Sequence, residues 1–151
     1  MLNKTDKKAR MRLLVSRPFF PLEEVRQLVE EDFEDVTKEK VIFTAKSRSI
    51  DKIIEVHRSL KGRRMTSVKA AEFIKYRLLE LCEDHFSETK TGQWGDPLFV
   101  VDIYGLEYEG IPYYIKFRID RETAQLDEIS FHPLEHDLML ANGTILKARS
   151  Q

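Results

Sequence analysis

The chain has 151 residues, of which 42% are hydrophobic and 34% are charged, a composition typical of one globular domain rather than two. No apolar run approaches the roughly 20 residues that a membrane helix requires, so we expect a soluble, cytoplasmic protein with no membrane partner. The single cysteine cannot form a disulfide within the chain. The net charge of −1 hides a basic first half and an acidic second half, which argues against a simple phosphate-binding surface.

The first half of the chain predicts helices joined by basic segments. Residues 1–16 are basic and poor in apolar side chains, so we expect a flexible arm at the start of a single domain over residues 1–151. Pro21 suits the first turn of a helix whose apolar stripe follows directly. A short strand over 41–45 and a second helix over 50–60 come next.

A basic loop precedes the strongest helix signal in the chain. The loop, KGRRMTSVK, contains Arg63 and Arg64 and leads into a helix over residues 68–84. Because a helix N-terminus attracts anions, both arginines are candidate RNA-binding residues, although an ordinary solvated linker is the simpler interpretation. Apolar residues at helical spacing, uninterrupted by Gly or Pro, predict that this helix lies across a sheet.

A polar loop and an apolar strand open the second half. Residues 86–97 form the loop, with Lys90 and Trp94 near its centre, and loops of this length beside a site often carry binding residues. Residues 98–104 are almost continuously apolar and rich in β-formers, which is typical of a strand covered on both faces. We therefore expect the loop to lead into a sheet.

Strict alternation characterises the strands that follow. Over residues 111–119 the apolar and polar side chains take opposite parities, and alternation returns over 127–132 after a polar turn. The apolar parity is predicted to be buried and contains Ile115, Phe117, Ile129 and Phe131. In an antiparallel meander the polar parity shares one open face, with Tyr114, Lys116, Arg118, Ser130 and His132.

The end of the chain predicts a short helix opening at Pro133 and a last strand over 144–147. The fold class is therefore α+β, with N-terminal helices packed on one face of a three- to four-stranded antiparallel sheet. His132, Glu135 and His136 match the H-x-x-E-H pattern of zinc peptidases. Because Pro133 directly follows the first histidine of that pattern, a zinc hydrolase is only the third interpretation.

The open face carries residue types that suit RNA cleavage without a metal. Such cleavage requires a base for the 2′-hydroxyl proton, cations for the developing phosphorane charge and an acid for the departing 5′-oxygen. His132 can serve either proton role, Lys116 and Arg118 supply charge, and Tyr114 can position phosphate. Solvent-facing strand residues would show the same alternation, so the pattern alone favours the simpler interpretation.

The chain runs in the order helix, basic segment, long helix, polar loop and strands. It also contains four short motifs: Asp84/Phe86, Asp102-Ile103-Tyr104, Tyr114-Ile115-Lys116 and Ser130-Phe131-His132. Over about residues 21–132 this arrangement resembles the motility quorum-sensing regulator (MqsR) toxin family. The resemblance implies a RelE-like fold and cofactor-free, metal-independent cleavage of single-stranded mRNA by a toxin that a cognate antitoxin protein restrains.

The resemblance also assigns roles to single residues. It carries the catalytic tyrosine onto Tyr114 and the final basic residue onto His132. The chain departs from the family at two positions: the family's lysine falls near Glu88, and the family's glutamine falls on Val101. A non-catalytic binding module on the same fold is the alternative function. The expected catalytic set, with Lys90 as a displaced lysine, is Tyr114, Lys116, His132 and Lys90, and the expected RNA-binding set is Arg118, Arg63, Arg64 and Tyr104, with no metal site.

Overall fold

The structure, a computed structural model, describes residues 17–44 and 47–149. The predicted basic arm over residues 1–16 lies outside this part of the chain. The helices are α1 (Leu22–Glu34), α2 (Ser49–Lys61) and α3 (Ser67–Glu80), and the strands are β1 (Val41–Phe43), β2 (Phe86–Thr91), β3 (Val100–Tyr108), β4 (Ile111–Asp120), β5 (Gln125–Pro133), β6 (Leu138–Met139) and β7 (Ile145–Leu146).

Strands β1 to β5 form one mixed sheet in the order β1-β5-β4-β3-β2. The β2–β3, β3–β4 and β4–β5 pairs are antiparallel, while β1 lies parallel to β5. The α+β class is confirmed, but the prediction of a three- to four-stranded antiparallel sheet is wrong. Strand β1 can lie parallel to β5 because α2, α3 and strands β2 to β4 separate the two strands in the chain, and a parallel pair requires such a long connection.

Strand β2 accounts for the other difference, because its residues were predicted to be loop. Its sequence, FSETKT, is mostly polar, as expected of an edge strand with one neighbour only. Phe86 is its buried anchor, and the Thr89 hydroxyl donates to the buried Asp102 carboxylate at 2.5 Å. The strand is thus stabilised by its pairing with β3 rather than by its own hydrophobic pattern.

The helices pack on one face of the sheet. Phe73 of α3 makes edge-on ring contacts with Tyr113 of β4 and Phe131 of β5. The Thr66 hydroxyl accepts from the Lys69 amide and caps α3. The predicted burial is confirmed for all four apolar strand residues: Ile115, Phe117, Ile129 and Phe131.

A β-bulge in β5 changes which residues face the helices. Lys116 pairs with Ser130, but the next residue of β4, Phe117, pairs with Glu128, which leaves Ile129 as the extra residue. On the N-terminal side of the bulge, the even- and odd-numbered residues of β5 exchange faces. Glu128 therefore lies on the helix side of the sheet, and Asp127 lies on the opposite side, where it pairs with Arg118.

The end of the chain forms a two-stranded hairpin, β6–β7, and the helix predicted after Pro133 is wrong. Pro133 is still part of β5, and the amide of Leu134 donates to the carbonyl of Pro112 at 2.9 Å. This tertiary hydrogen bond keeps the backbone extended where local sequence favours a helix. The strand predicted over 144–147 is confirmed by β7.

Gly105 of β3 lets the hairpin approach the sheet closely. A Cβ atom at this position would lie 2.7 Å from Cδ1 of Leu146 and 2.8 Å from Cδ2 of Leu138. The hairpin therefore covers one end of the sheet face that the helices leave uncovered. Among the described residues, no helix combines the length and the apolar character needed to cross a membrane.

Candidate functional site

The face of the sheet opposite the helices gathers the predicted polar residues. Gly105 pairs with Tyr114, which pairs with His132, and Ile103 pairs with Lys116, which pairs with Ser130. Directly opposed residues of antiparallel strands point to the same side, so Lys116 and His132 share a face, as predicted. We call it the open face, and the polar side chains near its centre are Glu88, Lys90, Tyr114, Lys116, Arg118, Asp127, Ser130 and His132.

Tyr114 and His132 form a stacked pair on the open face. Their ring centroids are 5.3 Å apart and the ring planes differ by 18°, and both residues are half-buried. Nδ1 of His132 lies 2.8 Å from the carbonyl oxygen of Pro133. Because a carbonyl can only accept, Nδ1 carries a hydrogen and Nε2 is the nitrogen that can take up a proton.

The pKa of Tyr114 is raised above its ordinary value, first by burial and second by the negative charge of Glu88. Both causes disfavour the phenolate. Tyr114 is therefore a neutral hydroxyl that can donate a hydrogen bond to a phosphate oxygen, and it is not suited to act as a base.

Lys116 lies beside the Tyr114–His132 pair, and its pKa is shifted in the opposite direction from that of Tyr114. Its pKa is lowered, first by burial and second by the positive charge of Lys90. A lysine with a lowered pKa releases its proton more readily than an exposed one. Lys116 can therefore supply both charge and a proton to a group bound on the open face.

Lys90 reaches the open face because β2 forms. It pairs with Val101, and its ammonium nitrogen lies 3.6 Å from a carboxylate oxygen of Glu88. The two positions at which the chain departs from the resembled family, Glu88 and Val101, thus lie on the same side of the sheet as Tyr114 and His132. All four positions therefore lie on one face of the sheet.

Arg118 forms the far end of the open face. Its Nη1 atom lies 3.4 Å from the Asp127 carboxylate, and its guanidinium lies 4.4 Å from the centroid of the Phe99 ring. Trp94 lies against Phe99 with 4.8 Å between the ring centroids. The open face therefore runs from the hairpin end, through Lys116, to an aromatic edge.

The proposed RNA contact of Tyr104 is not available in this structure. Its side chain is 0% exposed and stacks on Phe117, on the helix side of the sheet, with 5.4 Å between the ring centroids. Its pKa is raised, mainly by burial. The middle of β3 is covered on both faces, so Tyr104 belongs to the core.

Arg63 and Arg64 lie apart from the open face. Both are exposed in the connection between α2 and α3. Their neighbours Lys61 and Met65 line a small cavity between the helical layer and the β3–β4 turn. The structure therefore does not bring these arginines together with Lys116.

Two features of the site were not predicted from the sequence. Asp127 partners Arg118 only because of the bulge at Ile129, for which the sequence contains no signal. A cavity of about 340 Å³ is lined by His132 and Glu135 and, on its other side, by two basic residues at the start of α2. Arg48 and Lys52, which supply that charge, come next to a predicted helix start, but their proximity to His132 depends on tertiary packing.

The H-x-x-E-H segment does not adopt the geometry of a zinc peptidase, because the segment that contains Glu135 and His136 is not helical. In residues 17–44 and 47–149, no group of three or more His, Cys, Asp or Glu side chains is placed to hold a metal ion. Comparisons with family models, with curated proteins and with solved structures found no match to this chain.

Proposed function

We propose that the chain is an endoribonuclease that cleaves single-stranded mRNA by metal-independent transesterification on the open face. The observation that carries the proposal is the stacked Tyr114–His132 pair beside the half-buried Lys116. A base, a hydrogen-bond donor and a cation that can release a proton are the groups this reaction requires. With the resemblance of the strand motifs, they favour the toxin of a toxin–antitoxin module with a RelE-like fold, acting in the cytoplasm and restrained by an antitoxin.

Each side chain has a defined step in this proposal. Nε2 of His132 takes the proton of the 2′-hydroxyl while the 2′-oxygen attacks phosphorus. Lys116 stabilises the phosphorane charge and gives a proton to the 5′-oxygen as the P–O5′ bond breaks. Tyr114 donates a hydrogen bond to a non-bridging oxygen. The products are one 2′,3′-cyclic phosphate end and one 5′-hydroxyl end.

A binding module without catalysis is the second candidate, and the ion pairs of the open face favour it. Glu88 lies 3.6 Å from Lys90, and Asp127 lies 3.4 Å from Arg118. Each carboxylate reduces the charge that its cation offers to a phosphate. A protein partner that carries both signs of charge would fit this surface as well as RNA does.

The experiment that tests the proposal compares two multiple variants. Wild type is incubated with a single-stranded RNA in EDTA, together with the open-face variant Tyr114→Phe/Lys116→Met/His132→Ala. The matched control, Arg63→Ala/Arg64→Ala, removes charge from the helical layer. We expect wild type and the control to cleave equally well, and the open-face variant to be folded and inactive.

Binding assays on the same proteins separate the two candidates. If wild type binds the RNA without cleaving it, the binding module is correct and the catalytic proposal is wrong. If wild type neither binds nor cleaves RNA, both nucleic-acid functions are excluded. Cleavage that the open-face variant retains would place the reaction elsewhere on the chain.

A further inference from the structure

The loop between β2 and β3 exposes large apolar side chains next to the open face. Trp94 is 57% exposed and Leu98 is 86% exposed. An exposed tryptophan offers a large, rigid apolar ring, and aromatic side chains are enriched at binding surfaces. The loop therefore carries a surface that the catalytic proposal does not use.

Trp94 is held in its exposed position by a network of short turns. The amide of Gly92 donates to the carbonyl of Phe99, the amide of Gly95 to the carbonyl of Gly92, and the amide of Phe99 to the carbonyl of Asp96, at 3.0 to 3.1 Å. Trp94 itself has a φ of 54°, a left-handed conformation that is unfavourable for a bulky side chain. Such backbone strain is concentrated at functional sites, where the surrounding structure maintains it.

The exposed ring is continuous with the cations of the open face. Trp94 packs on Phe99, and the guanidinium of Arg118 lies over the other ring of this pair. Arg118 is two residues from Lys116 on the same strand face, which corresponds to about 7 Å. An RNA strand whose phosphate is bound at Lys116 would therefore pass Arg118 and reach the aromatic edge.

We propose that Trp94 is a stacking site for a nucleobase that flanks the cleaved phosphate, a role that rests on the proposed ribonuclease function. Every base presents a π-face, so an exposed tryptophan binds unpaired bases with little dependence on sequence. The bases of a duplex are already stacked on each other, so Trp94 also selects for single-stranded substrate. Arg118 supports this site by holding the Phe99 ring and the adjacent phosphate.

Trp94 is the single tryptophan of the chain, so its fluorescence reports directly on this site. The titration uses full-length His132→Ala protein, which leaves the RNA uncut, and a single-stranded oligoadenylate. We expect the RNA to quench the fluorescence, and an oligomer with abasic positions to quench it less. In the cleavage assay, Trp94→Ala should raise KM for the oligoadenylate roughly 5- to 150-fold with little change in kcat, the range found for loss of one stacked base.

Two variants of the same loop provide the controls. Trp94→Phe should retain most of the affinity, because phenylalanine also stacks. Leu98→Ala should bind and cleave like wild type, although Leu98 is the more exposed residue. Thermal melts of all variants identify any loss of folding.

The outcomes distinguish this inference from the proposed function. If wild type cleaves RNA while Trp94 is not quenched and Trp94→Ala has an unchanged KM, the stacking site is wrong and the ribonuclease proposal is unaffected. If RNA leaves the fluorescence unchanged and an antitoxin protein alters it, the loop is a protein contact instead. If wild type neither binds nor cleaves RNA, both proposals fail together.

Discussion

Strand β5 sends Glu128 to the helix side of the sheet and His132 to the open side, and the two residues differ in their surroundings. The Glu128 carboxylate is 0% exposed and accepts hydrogen bonds from the hydroxyls of Ser47 and Ser49 at 2.7 and 2.6 Å. His132 is half-buried, and its Nδ1 atom lies 2.8 Å from the carbonyl oxygen of Pro133, a contact that does not use Nε2. Glu128 therefore anchors the start of α2, whereas His132 has a nitrogen left for chemistry.

Side chains with shifted pKa values occur on both faces of the sheet, so a shift does not identify the candidate site. Burial raises the pKa of Asp102 and of Glu128 on the helix side, just as it raises that of Tyr114 on the open side. Asp102 accepts three hydrogen bonds, from the amides of Phe19 and Phe20 and from the hydroxyl of Thr89. Accessibility and unused hydrogen-bonding capacity, rather than the pKa shift, distinguish a candidate site from a structural polar group.

The largest effect should come from His132→Ala on the open face. Loss of a general base slows the chemical step by about 10²- to 10⁴-fold, while the protein stays folded. His57→Ala, a change in the helical layer, should leave the rate of single-stranded RNA cleavage unaltered. Equal rates for wild type and His132→Ala would contradict the assignment.

On the helix side, Lys75→Met should affect stability and not the chemical step. The Lys75 ammonium lies 2.8 Å from the buried Asp32 carboxylate, and removal of one partner of a buried ion pair costs about 3 kcal/mol or more. Lys69→Met on the same helix changes an exposed lysine and should cost less than about 0.5 kcal/mol. Urea unfolding measures both. Similar unfolding free energies for the two variants would show that the buried pair is not stabilising.

Gly105→Ala tests the close contact between the hairpin and the open face. The added Cβ would meet Leu146 and Leu138 at less than 3 Å, so we expect a loss of about 1 to 2 kcal/mol in the free energy of unfolding. Leu146→Ala removes the nearest atom, and in that background the Gly105→Ala cost should shrink. An identical cost in both backgrounds would mean that the hairpin does not pack on Gly105.

The smallest effect should be a shift in pH dependence caused by Lys90→Met. Burial and the Lys90 charge both lower the pKa of Lys116, so removal of Lys90 raises that pKa. Because the proposed mechanism requires protonated Lys116, the alkaline fall in kcat should move to higher pH. Lys147→Met, at an exposed position in the C-terminal segment, should leave the profile unchanged. A fall that stays in place, or moves to lower pH, would contradict the proton role of Lys116.

The alternation of apolar and polar residues predicted the part of the fold in which the strands follow one another directly in the chain. Strands β3 to β5 are successive in the chain, so the parity of Tyr114 and Lys116 on β4 was enough to place them together with His132. The burial of Phe117 and Phe131 followed from the same pattern. The site was predicted to this extent because its central residues lie on neighbouring hairpin strands.

Contacts between segments that are distant in sequence were missed. Strand β2 is polar and exists through its pairing with β3, so Lys90 was placed in a loop. The bulge at Ile129 exchanges the faces on which the preceding residues of β5 lie, so alternation alone could not place Glu128 and Asp127. Tyr104 was assigned to RNA contact from a motif, although it lies in the middle of a strand that is covered on both faces.

In our proposal, the open face cleaves RNA by attack of the 2′-hydroxyl, without a metal. The most direct test identifies the ends of the products that purified wild-type protein makes from single-stranded RNA in EDTA. We expect 2′,3′-cyclic phosphate and 5′-hydroxyl ends, formed about 10²- to 10⁴-fold more slowly by His132→Ala. Products with 5′-phosphate ends, or cleavage that needs an added divalent cation, would contradict it.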